Sequence, residues 1–231
     1  TEAVDVSFLR SIPGCSSQWA FIAVSTGGPR TVFWHRGSAP PPDPSEIDLS
    51  PFTGARVLHL DGLKIEASIE AARQARAMGM TVVLDAGTLR EKTPMLLPFV
   101  DILIASEQFA EPLVGAGAAK TEAIDALSAF GASQIVITLG AGGSIGYDGR
   151  RIISQPAFPV NAVDTTGAGD VYHGAYIRQF LEGSDMADCM KFASAAAAFK
   201  CTVSGNRAGV PKLEQVLQLI ERSAGAAAPE I

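Results

Sequence analysis

Asp164-Thr165-Thr166-Gly167-Ala168-Gly169-Asp170 sets an acid, two hydroxyls and two glycines ahead of a second acid and a segment with helical periodicity. Ile177, Phe180 and Leu181 give that segment an i, i+3, i+4 apolar stripe. The first N–H groups of a helix have no partner inside it, and the aligned peptide dipoles add partial positive charge there. Gly167 and Gly169 carry no side chain that would hold an anion away from those groups. The stretch therefore predicts a cradle for a phosphate whose negative charge grows during transfer. Asp170 lies in the same cradle, where a carboxylate can take the proton of a hydroxyl attacking that phosphate. An ordinary helix start would instead use Thr165 or Thr166 as its N-cap.

The chain before this stretch alternates between two periodicities. Residues 57–60, 81–84, 102–105 and 135–139 read as short apolar strands, and residues 64–78 and 121–130 as helices. Strands alternating with helices predict a doubly wound, mostly parallel α/β sheet. Residues 144–153 read as a hairpin turning at Asp148-Gly149, and the alanine run 193–198 as a tightly packed buried helix. Nearer the start, residues 19–24 and 31–35 read as two strands about the joint Gly27-Gly28-Pro29-Arg30, with a proline-rich connector at 39–44. Open parallel sheets bind ligands beyond the carboxyl ends of their strands. Four such ends carry polar or glycine residues: Asp61-Gly62, Asp85-Ala86-Gly87, Ser106-Glu107 and Gly140-Ala141-Gly142-Gly143. Together they predict one crevice.

Composition narrows the partners. With 231 residues, 47% hydrophobic and 18% charged, the chain can build one substantial core. A net charge of -6 without a basic cluster argues against nucleic acid and anionic membrane surfaces. No apolar run is long enough to span a bilayer. Cys15, Cys189 and Cys201 are widely spaced, which predicts reduced thiols and a cytoplasmic protein.

Residues 164–170, continued by Val171-Tyr172-His173-Gly174-Ala175, resemble the C-terminal signature of the ribokinase-like (phosphofructokinase-B-type) carbohydrate kinases. The resemblance implies a catalytic base at Asp170 and an anion hole at Gly167, Ala168 and Gly169. It also implies a ribokinase-like core over residues 41–231 and, over residues 1–40, the remnant of a small β-sheet lid. Further strands and a Gly-Gly segment that normally precede this region have no counterpart, so the chain reads as lacking an N-terminal part. Thr138, Gly140, Gly142 and Gly143 resemble the family's nucleotide loop, and Ser204-Gly205-Asn206 the loop that walls the adenine. Arg30 and Asp85 are implied contacts to substrate or phosphate. The implied partners are ATP, Mg²⁺, a sugar and a monovalent cation near Asp164, with a homodimer formed through the lid. The turn at Arg30-Thr31 most resembles fructose-type and ketohexose members.

Three departures bear on this reading. The family's N-x-x-E segment corresponds to Ser106–Phe109, which puts an apolar ring where a magnesium-organising Glu is usual; Glu107 or Glu111 would have to substitute. Gly87 replaces the Asn of a D-x-N-x-R stretch that Asp85 and Arg90 otherwise match. His35, His59 and His173 show no metal-ligand spacing and read as structural. Two other functions compete: a kinase-like protein or fragment that binds nucleotide without turnover, and a serine hydrolase. Gly142-Gly143-Ser144-Ile145-Gly146 fits the G-x-S-x-G nucleophile elbow, but the elbow needs a helix after its Ser, where this sequence signals a hairpin.

Overall fold

The computed structural model describes residues 4–24 and 30–226. The chain divides into two compact units, Thr1–Pro41 and Pro42–Ile231. In the first, β1 (Trp19–Val24) pairs antiparallel with β2 (Arg30–His35), with Trp19 opposite His35 and Val24 opposite Arg30. Period-two alternation sends Trp19 and Phe21 to one face of this ribbon, and Trp34 and Val32 to the other. Trp19 stacks on His35 with ring centroids 5.5 Å apart, and Phe21 meets Phe33 at 6.1 Å. Most of the joint at 27–30 lies outside the described residues.

The second unit is built on a six-stranded sheet. In chain order its elements are β3 (Val57–Leu60), α1 (Ile65–Ala77), β4 (Thr81–Ala86), β5 (Ile102–Ser106), α2 (Glu107–Val114), α3 (Lys120–Ser128), β6 (Gln134–Thr138), β7 (Ser144–Tyr147), β8 (Ile152–Gln155), α4 (Ala168–Leu181), α5 (Met186–Cys201) and α6 (Leu213–Ala226). The strands lie side by side in sequence order. β3 to β6 are parallel, and β7 and β8 add an antiparallel hairpin at one edge. The mostly parallel α/β sheet expected from the alternating pattern is therefore present. Among the parallel strands, the link between β4 and β5 is the one without an α-helix. Pro94 and Pro98 sit at the second positions of two short 3₁₀ turns, where a missing N–H costs nothing, and they cap the length of any helix there.

Both faces of the sheet are covered, which explains why its central strands read as continuous apolar runs. Leu84, Leu103, Ile135 and Ile137 point to the face packed by α1, α2 and α3. Val83, Ile104 and Val136, one residue out of step, point to the opposite face against Tyr172, Tyr176, Met190 and Ala193 of α4 and α5. Ala193, Ala195 and Ala196 are almost fully buried, and their small side chains let α5 pack closely against α4. This fixes α4, and therefore its first turn, against the sheet.

Helix starts depend on local oxygens. Ser106 Oγ caps α2 by accepting the Phe109 N–H at 3.1 Å and itself donates to Gly87 O at 2.7 Å. Asp185 caps α5 through the Asp188 N–H at 2.9 Å. The Ser106 cap turns Phe109 into the core, where it has no exposed surface. Truncating so large a buried ring leaves a cavity as well as losing transfer energy. Phe109→Ala should therefore cost about 3–5 kcal/mol of stability, read as a lower urea midpoint at an unchanged slope.

Candidate active site

The loop that begins at Asp164 is held from outside the helix it precedes. Asp164 is 8% exposed. Its Oδ1 accepts the Thr166 N–H at 2.8 Å and its Oδ2 accepts the Gly205 N–H at 2.9 Å. These two backbone donors stabilise the charged form and bring its carboxyl down to about 2. Val163 and Asp164 both donate their N–H groups to Cys201 O, at 2.7 and 3.1 Å. The loop is thus joined to the end of α5 and to the connector that follows.

The N-cap of α4 is Gly167, with φ +76°, and no side chain caps the helix. Neither Thr165 nor Thr166 takes that role. A Cβ on Gly167 would land on the side-chain amide of Asn206, so both the left-handed backbone and the space demand glycine. Val171 N–H returns to Gly167 O at 3.0 Å, and Ala168 N–H is taken by Thr165 O at 3.2 Å. That leaves the N–H groups of Gly169 and Asp170 in the first turn, where no partner exists within the helix. A Cβ on Gly169 would meet nothing within 4 Å. The space an anion would need therefore opens beside those amides. The Asp170 carboxyl is on the same turn and exposed.

Next to this turn is a cavity of about 440 Å³. Thr138, Gly140 and Gly143 line it from the β6–β7 loop, and Ala168 and Gly169 from the cradle. Gly143 has φ +89°, and a Cβ there would collide with the backbone at Gln155–Ala157. Cys201, the first residue of the 201–211 stretch that resembles the adenine wall, lines it too, and Phe158 and Ser194, which the sequence did not mark, form other parts of the wall. The bulky Phe158-Pro159-Val160 run after the hairpin was the available signal. Gly142, Ser204, Gly205 and Asn206 are not part of this lining. Gly205 and Asn206 instead brace the cradle, through Asp164 and Gly167.

A smaller cavity of about 140 Å³ lies at the ends of β3 and β4, lined by Asp61, Asp85, Arg90 and Phe109 among others. Burial pushes the Asp85 carboxyl up, and the neighbouring His173 opposes that shift. Asp170 is near enough to raise it further. His173 is buried and bridges three oxygens: Gly169 O at 2.7 Å and Asp85 Oδ2 at 3.4 Å from Nδ1, and Ile104 O at 3.2 Å from Nε2. It ties the first turn of α4 to the ends of β4 and β5. The structure therefore brings Asp85, Asp170, the cradle and the β6–β7 loop to one edge of the sheet.

Other candidates lie elsewhere. Glu107 is paired with Lys120 on the surface of α2 and α3. The Arg30 side chain falls outside the described residues. Among the described residues, no group of three His, Cys, Asp or Glu side chains could hold a metal ion. The donor set fits only a cation that brings most of its oxygens with it, as Mg²⁺ does when bound to phosphates. Ser144 begins an antiparallel strand, is 1% exposed and shares a 2.9 Å hydrogen bond with Tyr172 Oη. A nucleophile elbow requires an exposed Ser on a strand-to-helix turn, so this serine cannot serve as one.

Asp164 links site geometry to acid stability. Its folded-state value, about 2, lies below the ordinary 3.8. Its contribution to stability is therefore complete above about pH 4 and is lost as pH falls through about 2. Asp164→Asn should lower Tm at pH 7 and show a shallower fall of Tm between pH 4 and 2 than the wild-type chain. Parallel Tm–pH curves would show that the carboxylate does not hold the loop.

Comparison with known proteins bears on the family and the fold. The family model for pfkB family carbohydrate kinases matches residues 1–213. Ribokinase from Staphylococcus aureus is 29% identical over 94% of this chain and 74% of its own length. Ribokinase from Arabidopsis thaliana is 29% identical over 95% of this chain and 61% of its own length. The solved structure of Arabidopsis thaliana ribokinase complexed with ribose and ATP superposes with a TM-score of 0.79 at 24% identity, covering 94% of this chain and 73% of that one. With most of its length matched by the family model and the same fold in the solved relative, the chain belongs to the pfkB family of carbohydrate kinases.

Proposed function

We propose that this chain carries the catalytic core of an ATP-dependent sugar kinase, with Asp170 as the base. The observation that carries the reading is the first turn of α4. Its Gly169 and Asp170 amides have no helical partner, the space at Gly169 is open, and the Asp170 carboxylate stands beside both. In this reading ATP occupies the cavity of about 440 Å³, with its base between the β6–β7 loop and α5 and its phosphates toward Gly169. Asp170 takes the proton of a sugar hydroxyl as that oxygen bonds to the γ-phosphorus. The bond from phosphorus to the β–γ bridging oxygen breaks, and ADP leaves. Of the expected hole Gly167, Ala168 and Gly169, the Ala168 N–H is already taken by Thr165 O, so the open amides of Gly169 and Asp170, with the helix dipole, stabilise charge on the transferring group. Mg²⁺, when bound with ATP, neutralises the phosphates. Asp85 is the carboxylate that fits a role toward it, because it lines the small cavity at the strand ends, whereas Glu107 does not and is paired with Lys120.

The acceptor is proposed to be a ketohexose of the fructose type, supported by the resemblance at Arg30-Thr31. The solved relatives include a fructokinase with bound ATP from Xylella fastidiosa. A deoxyribokinase from Salmonella typhi, 27% identical over 92% of this chain, keeps pentoses in the test. The protein is further proposed to pair with a second copy through its two-stranded ribbon. Trp19, Phe21, Phe33 and Trp34 are exposed there, and a lone two-stranded ribbon is marginal in water. The wide spacing of Cys15, Cys189 and Cys201 along the chain, with no C-x-x-C pair, supports a reducing compartment. Among the described residues, no helix is long and apolar enough to cross a membrane.

The decisive experiment is sugar-dependent ADP release by the protein with fructose, ribose and deoxyribose as acceptors. Binding of ATP without release under any sugar would leave a nucleotide-binding protein without turnover. Asp170→Asn should lower kcat by roughly 10²–10⁴ while leaving ATP affinity nearly unchanged. A variant that keeps more than about a tenth of the wild-type rate would remove Asp170 as the base.

A further inference from the structure

Lys200, near the end of α5, has no exposed surface at all. Its ammonium donates to the main-chain oxygen of Asp164 at 2.8 Å and to Val203 O at 3.5 Å, with Asp164 Oδ2 at 3.8 Å. A buried ammonium is costly unless oxygens take its protons, and these three converge on it from two separate segments. Asp164 opens the anion cradle, and Val203 begins the connector after α5. The same connector sends the Gly205 N–H to Asp164 and the Asn206 amide against Gly167. Gly209 leaves room for the lysine stem, since a Cβ there would approach Lys200 Cε to 3.1 Å. The charge is thus buried behind the cradle and lines neither cavity described above, so it can set the loop without touching the reacting groups.

We propose that Lys200 is a positioning residue whose ammonium serves as a tethered monovalent cation, fixing the 164–170 cradle so that phosphoryl transfer needs no dissolved monovalent cation. This rests on the kinase reading above. Carbonyl and carboxylate oxygens converging on one buried positive charge form a donor set that a free potassium or ammonium ion would also satisfy. Here the charge is part of the chain, so it neither dissociates nor has to be stripped of a hydration shell in each binding event. The exchangeable cation expected near Asp164 finds its place already occupied.

The test compares salts at constant ionic strength. Wild-type protein should show kcat and ADP affinity equal within about twofold in potassium, sodium or tetramethylammonium chloride. Lys200→Ala opens a space that a small cation can enter. In tetramethylammonium chloride its kcat should fall by roughly tenfold or more, and potassium or methylammonium should restore part of it. Lys200→Met fills the space with an uncharged stem and should be impaired without rescue. Circular dichroism and Tm establish that each variant is folded. Stimulation of the wild type by potassium of about fivefold or more would overturn the proposal, as would full activity of a folded Lys200→Met. If neither variant folds, the wild-type salt comparison decides alone. Failure of the wild type to bind ADP in any salt, measured by calorimetry, would instead remove the kinase reading, and the tethered-cation role would fall with it.

Discussion

The structure depends on one carboxylate that receives two backbone amides from different segments. A helix N-terminus can bind an anion only if its first N–H groups are not already satisfied. A Thr165 or Thr166 cap would have used one of them. Asp164 removes the need for a cap by fixing the loop from outside, through the amides of Thr166 and Gly205. Gly167 then enters the helix in the left-handed conformation, and the Gly169 and Asp170 amides are left for a ligand.

The rest of the fold keeps that turn in place. α4 is packed through Tyr172 and Tyr176 against Val83, Ile104 and Val136, and the alanines of α5 allow close approach on its other side. His173 connects Gly169 O to Ile104 O and Asp85, so a shift of the first turn would break contacts to two strands. Rigidity matters because electrostatic stabilisation of a transferring phosphoryl group works only if the donors need not reorganise during the reaction.

An acidic chain with a net charge of -6 here builds a site suited to anions. It does so without a basic surface. The positive end of the α4 dipole and the buried Lys200 ammonium supply the local field, the second from behind the loop. The carboxylates Asp61, Asp85 and Asp170 gather at the neighbouring strand ends, where burial and mutual repulsion raise Asp85. Phe109 fills the core beneath them and forms part of the wall of the small cavity there.

Much of this was legible in the sequence because it follows from local chemistry. Alternating apolar runs marked the strands, most of them within a residue or two, since period and burial on both faces act along the chain. The left-handed entry at Gly167 and the open space at Gly169 were legible as glycine positions, because a helix start without a side-chain cap needs small residues at fixed offsets. What the sequence could not tell is which distant segments meet. Ser204–Asn206 read as an adenine wall, yet Gly205 and Asn206 brace the cradle, because Asp164 and Gly167 are some forty residues away and only folding brings them together. Phe158 and Ser194 face the cavity for the same reason. Lys200 gave no signal, being one lysine after an alanine run, and its meaning comes from burial. The sequence alone determined the alternating architecture and the chemistry of the cradle, both set by short-range spacing. The tertiary structure alone decided what holds the cradle open, because hydrogen-bond partners and buried charge are properties of non-local contacts.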